Sequence, residues 1–289
     1  MRLSPILAAC AATLAAACAP LTLFATLAPK DPAAVVERGT AYGSDPRQRL
    51  DVYAPKRRMK AAPMAVFFYG GGWDSGRRKD YGWVGHALAA QGFVTIVADY
   101  RVYPQVRYPG FLEDGAQAVR WAVDHGPAIG GDPTRIVLIG HSSGAYNAVM
   151  LALDPRFLRA AGVDPGAIRA VAGLAGPYDF LPLEGPITSR TFGHVADLEA
   201  TQPMTFARTG AVASLPPAFL ATGSEDKVVY PRNTHALAGV LRARGVPVEE
   251  KTYEGLDHPR LVLALSRPLR KRAPVLADMT AFLRAQTVR

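Results

Sequence analysis

Between Ile136 and Leu153 the chain changes its hydrophobic period once, and the change is centred on a single serine. Ile136-Val137-Leu138-Ile139 is a continuous apolar run, the pattern of a strand covered on both faces. Ala145 to Leu153 is built from good helix formers. The residues between them, Gly140-His141-Ser142-Ser143-Gly144, fit the G-x-S-x-G turn, in which a strained strand-to-helix corner lifts the serine hydroxyl clear of the sheet. The glycines leave no side chain where the turn has no room for one. A strand buried on both faces and followed at once by a helix needs parallel neighbours with crossover helices, which restricts the chain to α/β architectures.

The rest of the chain repeats that alternation. Val35 to Tyr42 and Gln48 to Tyr53 flank the turn Gly43-Ser44-Asp45-Pro46 and predict an antiparallel hairpin at the sheet edge. Buried strands are expected at Met64 to Tyr69, Gly92 to Asp99, Ile168 to Ala175 and Pro217 to Thr222, with a last strand from Val246 to Tyr253. Helices are expected at Asp80 to Gln91, Phe111 to Val123, Asn233 to Arg244 and, in pieces, Leu261 to Leu283. Pro177 to Leu215 has no clear period and is too long for an ordinary connection, so it reads as a cap or lid inserted after the sixth strand. The expectation is a mostly parallel sheet with helices on both faces over residues 29–289. Asp99 and Arg101, leaving a buried strand end, are expected to pair with each other.

Ligands of open parallel sheets bind beyond the C-terminal strand ends. Ser142, Asp226 and His258 each fall just past an expected strand. A serine hydroxyl is a weak nucleophile, so an imidazole must take its proton and a carboxylate must fix the imidazole tautomer. Glu225 and Asp257 compete with Asp226 for the carboxylate role. Gly70-Gly71-Gly72 follows a strand and can aim backbone N–H groups at a small anion. The expected oxyanion donors are the amides of Gly71, Gly72 and Ser143, with Trp73, His141 and Tyr146 lining the substrate pocket.

Residues 1–28 carry one charge, Arg2, and otherwise read as an export segment outside the fold. Leu14-Ala15-Ala16-Ala17-Cys18 resembles a bacterial lipobox, making Cys18 the acylation candidate; Cys10 has too little chain ahead of it. An uncleaved anchor helix through Leu27 and plain cleaved secretion are the alternatives. A lipid anchor would place the chain at the cell envelope, on the periplasmic side. Both cysteines lie in this segment, so the globular part forms no internal disulfide. The net charge of +9 is mostly scattered. Its one dense run, Arg267, Arg270, Lys271 and Arg272, fits a solvated helix face or contact with an anionic membrane. No nucleic-acid motif appears, and the six histidines show no metal-ligand spacing.

Tyr69-Gly70-Gly71-Gly72-Trp73, Asp99-Tyr100-Arg101, Gly140 to Gly144 and the late Asp226 and His258 together resemble α/β-hydrolase esterases of the BD-FAE and hormone-sensitive-lipase-like groups. The resemblance implies a carboxylesterase that needs no cofactor and acts on small to medium esters through an acyl-enzyme. Those groups usually carry His-Gly-Gly at the glycine loop, where this chain has Tyr69. The related arylformamidases make formamide cleavage the rival chemistry, and a hydrolase-fold binding protein without catalysis is the rival outside enzymes.

Overall fold

The computed structural model describes residues 21–57, 60–211 and 215–288; Cys10 and Cys18 lie outside them. Eight strands form one sheet in the order β1-β2-β4-β3-β5-β6-β7-β8. They are β1 (Ala33–Ala41), β2 (Arg49–Pro55), β3 (Ala62–Phe68), β4 (Val94–Ala98), β5 (Gly131–His141), β6 (Ile168–Leu174), β7 (Ala218–Gly223) and β8 (Val248–Tyr253). The β1–β2 and β2–β4 pairings are antiparallel and all others parallel. The apolar runs explain this order: every residue of β4 is buried, as is all of β7 and the stretch Ile136 to His141 of β5. Such strands take the sheet's centre, while β1 and β8, with half-exposed patterns, take its edges.

Helices cover both faces. Gly110–His125 and the elbow helix Ser143–Leu153 are two of them, and every residue of the latter is buried. A helix without a polar face belongs in the core. Leu261 to Leu283 divides into His258–Leu263 and Val275–Thr287, with turns between them. The segment from Pro177 to Leu215 holds two short helices, Gly185–Phe192 and Pro203–Thr209, and each has proline in its first turn. Eight and seven residues are too few to display a helical period, which is why the sequence showed none.

One expectation needs correcting. Asp99 and Arg101 do not pair. Asp99 accepts from Tyr69 Oη at 2.7 Å and forms an ion pair with Arg78, while Arg101 makes a two-pronged pair with the fully buried Asp114, 2.7 Å at Nη2. Residues two apart share a face only while a strand lasts; β4 ends at Ala98, so Asp99 and Arg101 leave that register and meet different partners. Residues 21–27 are helical and packed on the fold, with the Phe24 ring edge-on to Trp83 at 5.6 Å and Thr22 Oγ1 donating to Asp80 at 2.9 Å.

Candidate active site

Ser142 sits at φ +56° and ψ −127°, a conformation that a non-glycine residue holds only when its surroundings impose it. Those surroundings are tight. A Cβ on Gly140 would stand 2.0 Å from the Gly144 carbonyl oxygen, and one on Gly144 would stand 2.2 Å from that of Phe68. Only glycine lets the elbow helix approach β3 so closely. Ser142 N–H donates to the Leu174 carbonyl on β6, and the Ser142 carbonyl accepts from Ala145 and Tyr146, starting the helix.

His258 opens the helix His258–Leu263, whose first turn is capped by the Asp257 side chain accepting from Arg260 N–H. Its Nε2 stands 2.9 Å from Ser142 Oγ and its Nδ1 2.7 Å from Asp226 Oδ2. Asp226 Oδ1 accepts from the amides of Val228 and Val229, both at 2.9 Å. Of the three carboxylates, Asp226 is the one on the imidazole; Glu225 is exposed and Asp257 is the helix cap. Burial raises the Asp226 carboxyl, but the His258 hydrogen bond and charge with the two amides outweigh it and hold the group below its ordinary range. A depressed carboxyl adds stability above its unfolded-state pKa, and that stability is lost as the pH falls through the folded value.

The glycine loop follows β3. Gly71, at φ +149°, could not carry a Cβ, which would lie 2.3 Å from the Ser75 carbonyl oxygen. Its own carbonyl accepts from Asp74 and Ser75, closing the turn that leads into Gly72 and Trp73. Gly72 and Ser143 border the same cavity as Ser142, with Gly71 one residue behind. Trp73 is also in a positive-φ conformation, held by Nε1 donating to Asn147 at 3.1 Å and by rings of Phe111, Tyr146, Phe180 and Phe192. Tyr69 is fully buried between the rings of Tyr81 and Tyr100 and braces the loop from below through Asp99.

A cavity of about 310 Å³ opens over Ser142. Trp73 lines it; His141 and Tyr146 do not. His141 turns inward and donates from Nε2 to the His258 carbonyl at 3.1 Å, and Tyr146, fully buried, donates its hydroxyl to the Thr201 carbonyl at 2.6 Å. Burial, then the neighbouring His258, pushes His141 down to about 3. Proximity to Ser142 in sequence suggested both residues, but His141 ends β5 with its side chain buried, and Tyr146 lies on a fully buried helix. The apolar part of the remaining lining comes from Phe180, Leu181, Pro182 and Ile187 in the cap segment and from Val228, Val229 and Tyr230 in the acid loop, with Asp179, Glu184 and Arg232 as its charged part. These were missed because neither segment is periodic; the available signal was the apolar triplet Val228-Val229-Tyr230 in a loop directly after the charged run Glu225-Asp226-Lys227. A larger cleft, about 550 Å³ at Arg159, Arg169 and Gln286, has none of these groups in its wall.

A serine on a strained strand-to-helix corner, an imidazole and a carboxylate from the loops after β8 and β7, and this eight-stranded order together define an α/β-hydrolase. The family profile of BD-FAE matches residues 50–241, and the chain belongs to that family. Carboxylesterase NlhH of Mycobacterium tuberculosis (strain H37Rv) is 30% identical over 254 residues, 81% of this chain and 77% of its own. A probable isoprenylcysteine alpha-carbonyl methylesterase of Oryza sativa subsp. japonica is 30% identical over 247 residues, 78% of this chain and 57% of its own, so the chain spans only part of that relative's length. Among solved structures, inhibited esterase B from Lactobacillus rhamnosis superimposes with a TM-score of 0.83 at 23% identity, covering 98% of this chain and 97% of that one.

Proposed function

We propose that the chain is a serine carboxylesterase. The observation that carries the reading is the line Ser142 Oγ, His258, Asp226, with 2.9 and 2.7 Å separations. Ser142 Oγ attacks the ester carbonyl while His258 Nε2 takes its proton, and Asp226 holds the imidazole tautomer and stabilises the imidazolium. The tetrahedral oxyanion is held by the amides of Gly71, Gly72 and Ser143. His258 returns the proton to the leaving alkoxide, and a water activated by the same imidazole then cleaves the acyl-enzyme. The carboxylesterase relative named above is consistent with this chemistry.

The test is hydrolysis of p-nitrophenyl acetate together with labelling by a fluorophosphonate, which reacts only with an activated serine. Labelling at Ser142 with matching loss of hydrolysis is expected. A folded protein that turns over N-formylkynurenine but no ester would overturn the reading in favour of a formamidase, and one that does not label would be a binding protein.

The site of action is proposed as the envelope, through acylation at Cys18. Supporting it are the apolar leader and the surroundings of residues 21–27, where Leu23 and Leu27 are exposed and Lys30, Arg77 and Lys79 lie close by. Arg267 donates to the Lys30 carbonyl and Arg270 pairs with Asp31, which brings the late basic run to the same face. Apolar and basic groups side by side suit an anionic bilayer surface. Palmitate labelling lost in Cys18→Ser but kept in Cys10→Ser is the expected result.

A further inference from the structure

The described residues include seven large apolar side chains that are exposed, and three of them, Ile187, Val228 and Tyr230, stand at the mouth of the Ser142 cavity. Scattered exposed apolar residues need no explanation, but three converging on one opening do. They come from two segments far apart in sequence. Ile187, 40% exposed, lies on the cap helix Gly185–Phe192, its side-chain methyls 3.5 Å from where a Cβ on Gly72 would be. Val228 and Tyr230, 69% and 56% exposed, lie on the acid loop.

Both segments are held in place. Arg190 forms an ion pair with Asp74, tying the cap helix to the glycine loop. Asp226 accepts from Val228 and Val229, and Asn233 joins the two sides by accepting from Tyr178 and Asp179 while donating to the Tyr230 carbonyl at 3.3 Å. Trp73, Phe180, Leu181 and Pro182 add apolar wall to the same cavity, and its polar wall includes Asp179, Glu184, Thr188 and Arg232. At about 310 Å³ its volume is near the small end for ligand pockets. A chain longer than the cavity holds must leave through the mouth, where it meets these three residues.

Resting on the esterase reading, we propose that the preferred substrates are esters with a medium-length apolar chain whose distal methylenes lie across Ile187, Val228 and Tyr230. Covering a methylene is worth about 0.8 kcal/mol when complete, roughly fourfold in kcat/KM, and a one-sided rim gives part of that.

The experiment measures kcat/KM of the full chain for p-nitrophenyl acetate, butyrate and octanoate below their micelle concentrations, beside methyl and octyl acetate. Octanoate is expected to exceed acetate by about tenfold or more if the acyl chain takes the rim; a preference for octyl acetate over methyl acetate would put the alcohol there instead. Tyr230→Ser with Val228→Ser should cut the favoured long-to-short ratio roughly fivefold to tenfold, while Val36→Ser, an exposed apolar residue on β1, leaves it where it was. A flat or falling chain-length series in an enzyme that still labels at Ser142 overturns the rim proposal alone. Loss of ester turnover and labelling throughout would instead overturn the esterase reading on which it rests.

Discussion

His141 Nε2 stands 3.1 Å from the carbonyl oxygen of His258, so the residue before the candidate nucleophile holds the backbone of the candidate base. Removing this donor with His141→Phe should lower kcat about tenfold, the loss of one buried hydrogen bond, with less effect on KM. His141→Gln, which can still donate, should recover part of it. The buried ring also makes a pH signature. Its folded pKa is about 3 against about 6.5 unfolded, so between those values the unfolded chain binds the extra proton and stability falls as the pH drops. Urea unfolding at pH 7.5 and pH 5 should show a loss of about 2 kcal/mol that His141→Gln lacks.

Because Ser142, His258 and Asp226 act as a unit, their losses should not add. Ser142→Ala and His258→Ala should each cost nearly as much as the double variant, on the order of 10⁴-fold to 10⁶-fold in kcat. Asp226→Asn should cost less, on the order of 10³-fold to 10⁴-fold, by favouring the wrong tautomer. Glu225→Gln changes an exposed side chain and should stay within about threefold. A steady-state series on one ester decides the assignment, and a more damaging Glu225→Gln would reverse it.

Tyr69 touches Asp99 and Arg47 but not the cavity. Tyr69→Phe leaves a buried carboxylate with one donor fewer, a cost of about 1–3 kcal/mol, while kcat/KM stays within about an order of magnitude. Thermal melts should fall by several degrees with the active-site titre unchanged.

Two glycine-to-alanine changes should move stability in opposite directions. Gly144→Ala places a methyl 2.2 Å from a strand carbonyl that cannot yield, and should cost more than about 3 kcal/mol or abolish soluble expression. Gly239→Ala, inside the helix Arg232–Ala243 with nothing within 4 Å of the new methyl, should gain up to about 1 kcal/mol. Denaturant midpoints of the two variants test the contrast.

The sheet was legible because its strands are apolar runs bounded by glycine and proline, and burial on both faces leaves such runs few other places. Ser142, Asp226 and His258 were legible for a related reason, since each sits within a few residues of a strand's C-terminal end, where topology alone brings loops together. The cap was not: its helices are shorter than the period that would reveal them. Nor were the partners of charges. Asp99 finds Arg78 and Arg101 finds Asp114 through tertiary packing, which no local pattern encodes. His141 and Tyr146 misled because closeness to the serine along the chain says little about the side on which a cavity opens.

The strained backbone at Ser142 sets stability and reactivity against each other at one residue. Holding a side chain at φ +56° and ψ −127° costs on the order of 1–3 kcal/mol, which the folded chain carries at the very residue that bears the hydroxyl. Ser142→Ala abolishes the hydroxyl but keeps the strain, whereas Ser142→Gly abolishes both. Selection for heat resistance alone would therefore drift toward glycine here, and the inert protein would outlast the working one.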